Sequence, residues 1–125
     1  MIPYLLRHYK VDETLAKVGR QNGYLTAANQ VDSDEGKEWL YDVVWYQSDQ
    51  AGHMTDVPLV AESEWGGFGA VKEDFEKLLV SRSRYRVMVF QTTDKNVEQL
   101  IREMKLWIFK FFPSSLVSRQ HSSVG

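Results

Sequence analysis

A chain of 125 residues, 43% hydrophobic and 26% charged, suits one globular domain around one core. Its formal net charge of −2 does not advertise a nucleic-acid-binding surface, though it leaves room for an acidic site that holds cations. Cysteine is absent, which excludes disulfides, thiolate metal sites and a cysteine nucleophile, and His8, His53 and His121 show no ligand spacing. The longest apolar runs are far too short to span a bilayer. The opening MIPYLLRHYK lacks a signal-peptide layout, so the expected location is cytoplasmic, with no membrane partner.

Residues 3–10 and 12–19 both suit helices, with Asp12 as an N-cap and Leu15 and Val18 turned inward. Gly19 and Gly23 argue for a break. Residues 24–31 read as a strand or a loop, and "DSDEG" at 32–36 reads as a turn. "EWLYDVVWY" at 38–46 is β-branched and aromatic, hence a strand. Alternation puts Leu40, Asp42, Val44 and Tyr46 on one face and Tyr41, Val43 and Trp45 on the other. A polar turn with Gly52 follows, then "VPLVAESEW" at 57–65 as the antiparallel partner strand. "VKEDFEKLLV" at 71–80 has helical spacing, "YRVMVFQ" at 85–91 is a strand, and Asp94 caps a long helix to about Phe112. That helix carries apolar residues on more than one side, which suggests a homodimer formed through it. The expected fold is α/β (α+β): a mixed sheet of about four strands flanked by helices. Residues 1–112 would form the single domain, and the Ser-rich residues 113–125 a flexible tail.

Three acids interrupt the apolar strands. Glu62 and Glu64 share a strand face, and Asp42 lies on the preceding strand. Carboxylates gathered this closely repel, and a hard divalent cation relieves the conflict. The plainer alternative is a water-facing sheet surface, with Leu59, Ala61, Ser63 and Trp65 packed beneath.

Asp42, 19 intervening residues, then Glu62-Ser63-Glu64 on an apolar strand followed by a helix resembles the PD-(D/E)XK (restriction-endonuclease-like) nuclease superfamily. So do "DFEKLL" in the next helix and "RYRVMVF" in the next strand, and the likeness covers about two-thirds of the chain. The resemblance implies an αβββαβ core, here followed by a C-terminal helix. It implies Mg²⁺ or Mn²⁺ held by Asp42 and Glu62, with help from the Ser63 carbonyl, and hydrolysis of phosphodiesters in nucleic acid, DNA foremost. The motif's proline position is Tyr41, and its lysine position is Glu64. Either Glu64 fills the lysine's role, as in Glu-x-Glu members, or Lys77 does from the following helix. Glu13 is the candidate for an extra carboxylate from the first helix. Arg82, Arg84 and Arg86, spaced by two, are candidates for phosphate contacts or for a solvated strand entry.

Two motifs fail in detail. "GGFGAVK" lacks the Gly-Lys-Ser/Thr of a phosphate loop, and "DSDEGKE" lacks the glycine and glutamate spacing of a Ca²⁺ loop. The alternative function is a nuclease-like fold used for binding or assembly without hydrolysis.

Overall fold

The computed structural model describes residues 4–28 and 40–112. It contains α1 (Tyr4–Gln21), β1 (Leu25–Ala28), β2 (Val43–Ser48), β3 (Met54–Glu64), α2 (Phe68–Leu79), β4 (Tyr85–Phe90) and α3 (Val97–Phe111). The four strands form one mixed sheet in the order β1-β2-β3-β4. The first three are antiparallel and β3–β4 is parallel. This is the expected α+β architecture with a C-terminal helix. Residues 1–91 and 92–125 are two compact units.

In the first unit the core has two layers. Leu15 and Ala16 of α1 pack on Ala28, Val43, Trp45, Leu59, Ala61 and Val87. On the opposite sheet face, Leu78 of α2 packs with Ala27, Val44, Tyr46, Val60 and Met88. Parallel strands need a crossover, and α2 supplies it between β3 and β4. Helices on both faces explain why residues 58–63 are all buried, where a one-sided sheet would alternate. The β2–β3 turn is held by Asp49, whose Oδ1 accepts the N–H groups of Ala51 and His53. Gly52 takes a φ of +86° there, a conformation glycine adopts without steric cost.

Several boundaries differ from the sequence reading. A single helix runs through residues 4–21, so Asp12 is an interior helical residue and not an N-cap. The helix passes Gly19 because the bare Cα admits the Trp45 indole: a Cβ there would lie 2.6 Å from Trp45 Nε1. It ends at Gly23, φ +85°, as a left-handed cap allows. Next, β2 begins at Val43 and residues 40–42 form a bend. The alternation therefore breaks before the strand starts, and Tyr41 packs with Val44 and Tyr46, not with Val43 and Trp45.

In the second unit Asn96, not Asp94, is the N-cap of α3, and it makes no side-chain capping bond. The helix buries Leu100 and Met104 and leaves Val97, Ile101, Leu106, Ile108, Phe109 and Phe111 exposed. Among the described residues no helix is long and apolar enough to cross a membrane. The "DSDEG" turn and the expected tail, 113–125, lie outside the described residues.

Candidate active site

The site forms where β2 begins and β3 ends. Successive β3 side chains face opposite layers, so Ser63 belongs to the α1 side and Glu62 to the α2 side. Asp42, in the bend before β2, reaches both through backbone hydrogen bonds. Its N–H donates to Glu62 Oε1 at 3.2 Å, and its Oδ2 accepts the Ser63 N–H at 2.9 Å. These bonds bring Asp42 and Glu62 together at the strand end. Glu62 is only 2% exposed, which removes the reading of a water-facing sheet surface.

Lys77 joins the pair from α2, with Nζ 3.3 Å from Glu62 Oε1. Tyr41 fixes that approach. Its hydroxyl donates to the Lys77 carbonyl at 3.1 Å, and its ring centroid lies 5.7 Å from Nζ, within cation–π range. Glu64 makes different contacts. Its Oε2 accepts the Gly66 N–H at 2.8 Å, and it shares a hydrogen bond with Asp74 of α2. Of the two candidates for the lysine position, the geometry thus gives Lys77 the contact with Glu62.

The first helix contributes Asp12, a residue that sequence reasoning treated only as a cap. Its side chain is fully buried, and Oδ1 accepts the Ser63 hydroxyl at 3.1 Å. The same hydroxyl lies 3.5 Å from Asp42 Oδ2, so Ser63 stands between the two acids. Glu13, the expected extra carboxylate, is exposed. A signal for Asp12 was present, since Asp12, Leu15, Ala16 and Gly19 share one helical stripe. An acid on an otherwise apolar stripe needs a buried partner.

The electrostatics are strained in one direction. Burial, then the charge of Asp42, push the Glu62 carboxyl up to about 8, against the pull of Lys77. Burial, then the hydrogen bond and charge of Glu64, push Asp74 up to about 6. Burial works against the Lys77 ammonium, yet Glu62 and the neighbouring acids leave its pKa raised. Burial raises the Tyr41 phenol as well. Acids outnumber cations here, which favours a further positive charge.

Among the described residues no three His, Cys, Asp or Glu side chains are grouped to hold a metal ion. What the cluster offers a cation is the Asp42–Glu62 pair. That donor set suits Mg²⁺, which takes one or two carboxylates and keeps several waters. The arginine run divides its roles. Arg84 pairs with Asp56 at 3.3 Å, Arg86 donates to Ser81 Oγ and to the Ser81 carbonyl, and Arg82 lines a cavity beside Tyr41. Comparison of the chain with protein-family models, with curated proteins and with solved structures returned no match.

Proposed function

We propose that the chain hydrolyses phosphodiester bonds in nucleic acid, DNA foremost, as a PD-(D/E)XK-like nuclease of the migrated-lysine kind. The observation that supports this most is the convergence of Asp42, Glu62 and Lys77 at the end of β3. Asp42 and Glu62 would hold Mg²⁺ or Mn²⁺, and the bound ion would activate water and neutralise charge growing on the phosphate. Lys77, within hydrogen-bond reach of Glu62, would orient the attacking water. Tyr41 positions Lys77. Ser63 and Asp12 hold the strand end on which both acids depend. The proposed location is cytoplasmic, in keeping with a cysteine-free chain.

The test is cleavage of plasmid, single-stranded DNA and RNA with Mg²⁺ or Mn²⁺, repeated with Asp42→Ala and Glu62→Ala. Metal-dependent cleavage lost in both variants is expected. No cleavage, or cleavage undiminished in both, overturns the reading.

The exposed apolar residues of α3 favour a second reading, a nuclease-like fold that works by assembly, with a homodimer formed through α3. A monomeric mass by light scattering at tens of micromolar would refute the dimer.

A further inference from the structure

A cavity of about 450 Å³ opens beside the acidic cluster, on the α2 side of the sheet. Tyr41 belongs to both: its ring centroid lies 5.7 Å from Lys77 Nζ, and the residue also lines the cavity. Val57 and Val60 give the cavity an apolar wall, while Ser81 and Ser83 bring hydroxyls. Two charged residues line it, and they differ in their commitments. Asp56 is neutralised by Arg84 at 3.3 Å. Arg82 makes no hydrogen bond or ion pair among the described residues, whereas Arg84 and Arg86 are both engaged. The cavity therefore combines an aromatic and apolar wall with one unspent positive charge at its rim.

We propose that this cavity takes an unpaired nucleotide of the nucleic acid, the base against Tyr41 and Val57 and the adjoining phosphate on Arg82. The inference deepens the hydrolytic reading and rests on it for placing that nucleotide next to the scissile phosphate. A base stacked and paired inside a duplex cannot enter a cavity unless it is extruded. A single strand presents its bases freely, and stacking on aromatic side chains is tolerant of sequence. The chain thus selects single-stranded or frayed nucleic acid over closed duplex. It does so with a cavity built into the domain.

The test is binding without turnover, with divalent metal chelated. Fluorescence anisotropy is measured for a labelled oligonucleotide, single-stranded and as a blunt duplex, across a salt series. The single strand is expected to bind at least roughly tenfold tighter. Arg82→Gln is expected to weaken binding and to lower the slope of log affinity against log salt by about 0.7, the loss of one phosphate contact. Thr55→Trp, which fills the cavity, is expected to weaken binding roughly tenfold with the slope unchanged. Duplex binding as tight as single strand, or either folded variant binding like the parent, overturns the inference. Arg82 is exposed, so its variant decides the matter even if Thr55→Trp fails to fold. Cavity-dependent binding without metal-dependent cleavage supports the nucleotide cavity and overturns the hydrolytic reading alone.

Discussion

Replacing Glu62 by glutamine should make the protein more stable at alkaline pH while abolishing cleavage. Glu62 is buried beside Asp42, and its carboxyl is held up to about 8 against an ordinary 4.5. Below pH 4.5 the group is protonated folded or unfolded, and contributes no penalty. As the pH rises from there toward 8, the unfolded chain ionises while the folded one retains the proton, so stability falls. Above 8 the cost is complete, at roughly 4 to 5 kcal/mol if nothing else relaxes. Glutamine keeps the shape and an acceptor for the Asp42 N–H, but it weakens a charge-assisted bond to Lys77 by about 1 kcal/mol. Lys77 is 43% exposed and stays hydrated, so the lost pairing adds little. The variant should therefore gain about 3 to 4 kcal/mol near pH 9, shrinking to within about 1 kcal/mol near pH 4. Urea denaturation of both proteins across this range, without divalent metal, measures the difference directly. Parallel profiles, or a glutamine variant that is never the more stable, would refute the argument. Added Mg²⁺ should then stabilise the parent and leave the variant unchanged, since only the parent keeps the acidic pair.

Lys77→Met should reduce cleavage at least about 100-fold, on the scale of a lost catalytic donor, while Glu64→Gln retains most of it; initial rates on one substrate compare them. Gly19→Ala brings a Cβ to 2.6 Å from an indole that is itself fixed by a 3.0 Å bond to the Leu15 carbonyl and a stack on Tyr24. Overpacking of about 1 to 3 kcal/mol plus a lost bond of about 1 outweighs the helix-propensity gain of about 1, so a net loss near 1 to 3 kcal/mol is expected by urea titration. Ser63→Ala removes the donor to the buried Asp12 carboxylate and should cost about 1 to 3 kcal/mol in the same assay.

The sheet was legible because its strands carry strong local signals. "YRVMVF" and the two halves of the hairpin place β2, β3 and β4, and the glycine at 52 marks the turn between them. Asp42 and Glu62 were legible for the same reason: each is an acid within an apolar run. The choice between Glu64 and Lys77 was not, since it depends on how α2 lies across the sheet, and no local pattern encodes that angle. Asp12 was misread because an acid before an apolar helical stretch looks like a cap, and only the uninterrupted α1 makes it a buried partner. The bend at 40–42 defeated alternation at Tyr41 by changing the residue's face two residues before the strand begins.

The spacing of the site contacts along the chain has a consequence for how it is made. Lys77 and Glu62 are 15 residues apart, and Asp42 and Ser63 are 21 apart, so both contacts close inside the hairpin and the helix that follows. Asp12 and Ser63 are 51 residues apart. Loop closure grows only slowly with length, so the longer contact costs little extra stability, yet it belongs to the slower, non-local class of pairings. A nascent chain carries Asp12 early but cannot bury it until β3 has been synthesised. The acidic pair and its lysine are therefore the shorter-range assembly and are expected to form first, with the α1 contact a latch that closes behind them, an order that φ-values at Glu62 and Asp12 would test.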